Sequence, residues 1–149
     1  MKNTALKKIL LVTTVLLGTG YTSMAFAHSA GGPIGFDAGA TDLAGVECFN
    51  DGNGDADHLV VQIEDMSPPV SGLLVSMQAS KGTQMINLTD TVSGDGNASA
   101  AGVIRGGSGE YRISVNKTNA GTRSFSVTYH CETISNTHTG TDVTVYQIQ

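Results

Sequence analysis

The side chains of this sequence with the clearest capacity for metal chemistry are four histidines: His28, His58, His130 and His138. His28 directly follows Ala25-Phe26-Ala27, a small-x-small pattern at which signal peptidases cut. Cleavage after Ala27 would make His28 the first residue, which then offers an amine and a ring nitrogen together. A free α-amine has a pKa of about 7.7 to 8.0, so a metal ion displaces its proton near neutrality. This chelate suits Cu(II), which prefers tetragonal nitrogen and oxygen ligands.

Residues 1–27 have the three parts of a secretory signal peptide. Lys2, Lys7 and Lys8 form a positive start, and the apolar stretch ILLVTTVLLG is too short to span a bilayer. We therefore expect a cleaved leader and a periplasmic or secreted protein without a membrane anchor. A cut after Ala25 is the alternative, and it would place Phe26 first.

Charge and motif content limit the classes of function. Residues 28–149 carry thirteen acidic side chains against five basic ones, a formal net charge of −8. Phosphate backbones repel such a chain, so nucleic acid is not expected as a partner. The sequence lacks the catalytic motifs G-x-S-x-G, G-x-x-x-x-G-K-[ST] and H-E-x-x-H, so we do not expect an enzyme.

Cys48 and Cys131 are the only cysteines of the sequence. In an exported protein the oxidising compartment makes a disulfide between them the default interpretation. The alternative is a soft-metal site that uses both thiolates.

Apolar residues alternate with polar ones at period two in four stretches, HLVVQIED, GLLVSMQAS, GEYRISVNK and RSFSVTYHC. Shorter candidate strands cover residues 45–50, 84–89, 100–105 and 141–148, and Gly-, Asn- and Asp-rich turn segments separate the strands. The pattern predicts an all-β fold of about seven to nine short antiparallel strands, a sandwich or a small barrel. We expect one such domain over residues 44–149, preceded by a Gly-rich arm or first strand over residues 28–43.

The cysteine spacing favours one particular sandwich. Cys48 lies in an early predicted strand, Cys131 lies in the penultimate one, and Tyr129 stands two residues before Cys131. This arrangement resembles the immunoglobulin-like plan, although the core tryptophan of antibody domains is absent. An unrelated sandwich with one disulfide is the alternative.

The immunoglobulin-like plan also predicts where the histidines lie. In that plan the chain start and the loops that follow the two bridged strands share one end of the sandwich. Those parts here are His28, the loop DGNGDADH with His58, and the segment CETISNTH with His138. His130 precedes Cys131 and points away from the core. We therefore expect all four histidines at one pole, with His138 as the second imidazole ligand beside His28.

The stretch AGTRSFSVTYHCETISNTHTGTDVTV, residues 120–145, together with His28 resembles the periplasmic copper-resistance family of β-sandwich proteins. Copper carriers of that family use an amino-terminal histidine and a late Asp-x-His. The matching positions here are His28, Asn136 and His138, so an amide replaces the acidic ligand, and Thr139 stands where the family has proline. The resemblance implies a Cu(II)-binding protein for copper transport, storage or tolerance. Copper-dependent polysaccharide oxygenases also begin with histidine, but this chain is short and lacks an aromatic binding face.

The segment NDGNGDADH supports a second metal hypothesis. Asp51, Asn53, Asp55 and Asp57 alternate oxygen ligands as a Ca²⁺ loop does, but no Glu follows at the twelve-residue spacing. The same residues also fit a polar hairpin turn. The alternative function to copper binding is a non-catalytic module that binds a periplasmic or surface protein or a glycan, because sandwich folds host many unrelated functions.

Overall fold

The computed structural model describes residues 28–149, and the predicted leader, residues 1–27, lies outside them. The described residues form nine strands: β1 (His28–Ile34), β2 (Asp42–Phe49), β3 (His58–Asp65), β4 (Val75–Lys81), β5 (Gln84–Thr89), β6 (Gly102–Ile104), β7 (Gly109–Lys117), β8 (Arg123–Glu132) and β9 (Gly140–Gln147). Within this part of the chain there is no helix long and apolar enough to cross a membrane.

The strands form two antiparallel sheets, with the orders β1-β8-β3-β6 and β5-β4-β7-β2-β9. Cys48 on β2 and Cys131 on β8 form a disulfide that joins the two sheets. The predictions of an all-β fold with about seven to nine strands and of a disulfide are therefore confirmed. The disulfide leaves neither thiolate for a soft metal.

Apolar side chains at alternate positions of the strands fill the space between the sheets. The alternate residues that the sequence pattern assigns to one face of β3, β4, β7 and β8 are all buried, with Cys131, Leu59, Val61, Ile63 and Tyr111 fully so. Burying one such large apolar side chain contributes about 1.5–3 kcal/mol relative to leaving it exposed. The residues between them point outward, so the alternation fixes which side chains reach the surface.

The two end strands lie on different sheets from those of the immunoglobulin plan. The inner pairs agree with that plan, because β2 pairs with β7, and β3 pairs with β8. The first strand β1 pairs with β8, however, and the last strand β9 pairs with β2. In immunoglobulin constant-type domains the first strand joins the sheet of the first cysteine and the last strand joins the other sheet.

β1 belongs to the Gly-rich segment that the sequence predicts to be an arm or a first strand. Two of its residues hold it in place. A Cβ atom on Gly31 would lie 2.0 Å from the carbonyl oxygen of Phe125, so only glycine permits this close approach to β8. At the other end of the strand Ile34 is fully buried. The segment is therefore a paired strand over seven residues, His28 to Ile34.

A tyrosine hydroxyl bonds to the backbone a few residues upstream, as in the immunoglobulin plan, but the tyrosine is a different one. In the immunoglobulin plan the tyrosine before the second cysteine makes that bond. Here the Tyr111 hydroxyl on β7 donates to the Gly107 carbonyl over 2.8 Å and accepts from the Gly106 amide over 3.0 Å. Tyr129, which has the expected position, packs against His28 instead.

Replacing both cysteines in a Cys48→Ala/Cys131→Ala variant will lower the free energy of unfolding substantially. The disulfide spans 83 residues, and closing so long a loop in the unfolded chain contributes about 4 to 5 kcal/mol in the chain-entropy model. Urea unfolding followed by far-UV circular dichroism measures the loss. A loss below about 1 kcal/mol would contradict this account of the bridge.

A second prediction concerns the buried ion pair between Arg123 and Asp65, which are 2% and 1% exposed. The guanidinium donates to the carboxylate from Nε over 3.0 Å and to the Pro68 carbonyl from Nη1 over 2.9 Å. Arg123→Met will cost about 3–5 kcal/mol, because it leaves the Asp65 carboxylate buried without its partner. Adding Asp65→Leu should restore part of that loss in urea unfolding, whereas additive losses would show that the two side chains act independently.

Candidate functional site

Three of the four histidines lie on the outer face of the four-stranded sheet, at one end. Side chains that face each other across an antiparallel ladder lie on the same side of the sheet. Glu132 at the end of β8 pairs with His58 on β3 and forms an isolated bridge with His138. His130, two residues before Glu132, points to the same side. We call the end of the sandwich that carries His28, His58, His130, Glu132 and His138 the histidine pole.

His130 and His138 form the closest pair of imidazoles at the pole. Their ring centroids lie 4.7 Å apart, with the ring planes tilted by 52°. Burial, and then the neighbouring His138, lower the pKa of His130 below its ordinary value of 6.5; Glu132 opposes this shift, and His28 adds a still smaller lowering effect. His130 is therefore a neutral ring at neutral pH, a state in which one nitrogen keeps a lone pair that can bind a metal ion.

One atom of His130 lacks a hydrogen bond. Its Nδ1 is buried, and among the described residues it has no donor or acceptor within reach. Leaving a buried polar atom unsatisfied costs about 1–3 kcal/mol. An atom of this kind beside a second imidazole is a position where a bound ion would remove that cost.

His58 is a structural residue. It is 2% exposed, its Nδ1 lies 2.9 Å from Asp57 Oδ2, and its Nε2 lies 3.1 Å from Glu132 Oε2. Arg105 also contacts the Asp57 carboxylate. Because a carboxylate lies within hydrogen-bonding distance of each ring nitrogen, both nitrogens of His58 have protein partners in this arrangement.

His28 lies at the same end of the sandwich but on the other face of the sheet. It pairs with Tyr129, whose side chain is in the core, and the two rings stack at 6.1 Å with 21° between their planes. The start of β1 and the segment of His138 nevertheless lie along the same edge of β8, since the Thr139 amide donates to the Cys131 carbonyl. Their rungs on β8, Tyr129 and Glu132, are three residues or about 10 Å apart.

The geometry of a turn accounts for Asn136, the third residue that matches the copper-resistance pattern. Asn136 is exposed in the β8–β9 turn, and its φ is 57°. Asparagine tolerates this left-handed conformation better than most residues. Its amide donates to the Thr133 carbonyl over 2.9 Å. The turn alone therefore explains the asparagine, and Glu132 is the carboxylate that lies near His138.

The acidic loop before β3 uses its carboxylates within its own turn. Asp55 accepts a hydrogen bond from the Asn50 side chain over 2.9 Å, and Asp51 accepts one from the Asn53 amide over 3.1 Å. Asp57 binds His58 and Arg105. These bonds favour a polar turn over a Ca²⁺ loop. The turn is not the expected hairpin, because it joins β2 of one sheet to β3 of the other.

Side chains alone do not complete a metal site. Across residues 28–149, no group of three or more His, Cys, Asp or Glu side chains is arranged to hold a metal ion. That set counts side chains only, and a main-chain amine would lie outside it. Glu132, which contacts both His58 and His138, is the site residue that the sequence patterns do not single out. Its only signal is its position two residues after His130 on the outward-facing side of β8.

Comparisons with protein-family models, with curated proteins and with solved structures find no match.

An NMR titration of the histidine ring protons will find the midpoint of His130 below pH 6.5. In a His138→Gln variant that midpoint should rise, because a neighbouring ring that also takes up a proton has been removed, and it should stay below 6.5 because burial is the larger cause. An unchanged midpoint in the variant would show that the two rings do not interact.

Proposed function

We propose that the mature, exported protein binds Cu(II) at the histidine pole and serves in copper transport, storage or tolerance. The amine and imidazole of His28 form the chelate in this proposal. His138 supplies a further imidazole, and His130 is the alternative donor beside it. The protein has no catalytic turnover of its own.

The observation that carries this proposal is the pair His130 and His138 beside the start of β1. The two rings are 4.7 Å apart, and the buried Nδ1 of His130 has no hydrogen-bond partner among the described residues. The start of β1, which carries His28, lies along the same edge of β8 as the segment of His138. A Cu(II) ion at this place would meet nitrogen donors from two separate parts of the chain.

Charge and nearby oxygen ligands also support a cation at the pole. Glu132 Oε1 lies 3.9 Å from His138 Nε2, so a carboxylate is close although Asn136 replaces the acidic ligand of the resemblance. The formal charge of −8 over residues 28–149 attracts cations to the protein in general. Imidazole, amine and carboxylate together give the nitrogen and oxygen donors that Cu(II) prefers.

The proposal requires that His28 carry a free amine. Intact-mass measurement of the exported protein tests this directly, and the expected mass is that of residues 28–149 with one disulfide. A start at Phe26, or retention of the leader, would remove the chelate and overturn the proposal.

The binding test compares two forms of the purified protein, one that begins at His28 and one that retains Ala25-Phe26-Ala27 before it, so that His28 is the fourth residue. Calorimetric titration with Cu(II) should show binding about a hundredfold weaker in the extended form, a loss of about 3 kcal/mol, because the imidazole and a free amine no longer belong to one residue. Electron paramagnetic resonance should show a different set of nitrogen ligands in the Cu(II) complex of the extended form, because the His28 amine is no longer available there. Equal binding by the two forms would contradict the proposal.

Two substitutions test whether Cu(II) binding depends on the His138 imidazole in particular. His138→Gln should weaken Cu(II) binding in the form that begins at His28. Asn136→Gly is the matched control in the same turn, since glycine accepts a positive φ and changes no proposed ligand, and it should leave Cu(II) binding unchanged. A loss in the control comparable with the loss in His138→Gln would indicate that the turn, and not the imidazole, is responsible.

A further inference from the structure

The sandwich is open along one side, between the edges of β1 and β9. On the opposite side β5 and β6 are in contact, since a Cβ atom on Gly102 would lie 2.8 Å from Ile86 Cδ1. Among residues 28–149, β1 has a strand partner only in β8, and β9 has one only in β2. Between them lies a cleft of about 200 Å³, whose walls are mostly core side chains such as Val46, Ile113, Phe125, Val127 and Val143.

Small residues of β1 keep this cleft open. Gly32 and Ala30 stand opposite Phe125 and Val127 on the inner face of the sheet. A Cβ atom on Gly32 would meet nothing within 4 Å. Since a dry apolar cavity of about 150 Å³ already binds a benzene-sized group, the cleft has room for one or two apolar side chains of another molecule.

The free edge of β1 faces this cleft with backbone hydrogen-bonding groups. Ser124 directs its amide to the Ser67 hydroxyl and its carbonyl to the Met66 amide, both away from β1. Its partner Pro33 therefore belongs to a pair that exchanges no hydrogen bonds, and the backbone groups of Pro33 point outward. The same alternation turns the N–H and C=O groups of Gly31 and Ser29 outward.

The C-terminal residue of the chain already forms one backbone hydrogen bond along this edge. The Gly35 amide, next in the alternation after Pro33, donates to the carbonyl oxygen of Gln149 over 2.6 Å. An extended segment beside β1 would continue the line of backbone pairing that Gln149 begins. Pro33 has no N–H to give, so Gly31 and Ser29 are the two residues able to form complete pairs.

Charge restricts what can lie there. Among the residues that line the cleft, Asp42 is the one with a charged side chain at neutral pH. The five basic side chains of the described region all bind acceptors of the chain: Lys81 with Gly107, Arg105 with Asp57, Arg112 with Glu110, Lys117 with Phe36, and Arg123 with Asp65. A neutral or basic occupant is therefore favoured, and a second copy of this acidic chain is disfavoured.

We propose that the cleft binds an extended segment of a partner polypeptide, neutral or basic in charge, which adds as a strand to the edge of β1. Its backbone pairs with Ser29 and Gly31, and two apolar side chains, two residues apart, enter the cleft over Ala30 and Gly32. Such strand addition takes affinity from main-chain hydrogen bonds and specificity from the pockets for alternate side chains.

The probe is a fluorescein-labelled peptide, Lys-Thr-Val-Thr-Val-Thr-Lys, and the measurement is fluorescence anisotropy with the disulfide-bonded protein that begins at His28. The peptide should bind at concentrations below about 1 mM, and a peptide with Asp in place of both Val residues should bind about tenfold more weakly or not at all. Absence of binding by the first peptide, or equal binding of the two, overturns the proposal.

Two glycine variants place the peptide in the cleft. Gly32→Val fills the open space over Phe125, so it should weaken peptide binding about tenfold or more while the midpoint of thermal unfolding is kept or raised. Gly39→Val is the matched control, because a Cβ atom there also meets nothing within 4 Å but Gly39 lies in the turn after β1. The control should bind as the parent does, and equal weakening in both variants overturns the proposal.

Two further measurements distinguish a lipid and a second copy of the chain as occupants of the cleft. Displacement of the peptide by dodecanoate, with peptide affinity lower than dodecanoate affinity, would identify a lipid site and overturn the proposal. Self-association in sedimentation velocity that is lost in Gly32→Val would identify a second copy of the chain, with the same consequence. The copper proposal is independent of these results, since Gly32→Val changes no nitrogen donor of the histidine pole.

Discussion

The register of β8 is the constraint on which the rest of the structure depends. β8 pairs with β1 along one side and with β3 along the other, and it carries Cys131 of the inter-sheet disulfide. Its alternation sends Tyr129 and Cys131 into the core and His130 and Glu132 to the outer face. A slip of one residue would exchange these two sets. The disulfide and the buried Arg123 at the other end of the strand both oppose such a slip.

Much of the fold follows from period two alone, since one rule accounts for β3, β4, β7 and β8. The pairing of the end strands does not follow from it. β1 is rich in glycine and has no alternating apolar face, and its position depends on the close approach of Gly31 to the Phe125 carbonyl. A contact between residues so far apart in sequence cannot be read from a local pattern. The exchange of β1 and β9 between the sheets therefore appears only in three dimensions.

The candidate site was predictable to a similar extent. The sequence predicts His130 on the outward face and His138 in the turn after β8, and the structure brings these rings together. It could not predict that His58 would be enclosed between Asp57 and Glu132, because ring orientation depends on the partners across the ladder. Nor could it predict that the ring of His28 would lie over Tyr129, since the pairing partner of β1 was unknown.

β1 also has a consequence for the order of events during folding. Its partner residues in β8 are about a hundred positions further along the chain, so β1 cannot pair until nearly the whole domain is available. A pairing of such long range forms late, because the loop must close before the contact is rewarded. The edge of β8 that β1 covers would therefore stay open until late in folding. β1 would dock last, as the strand that completes the four-stranded sheet.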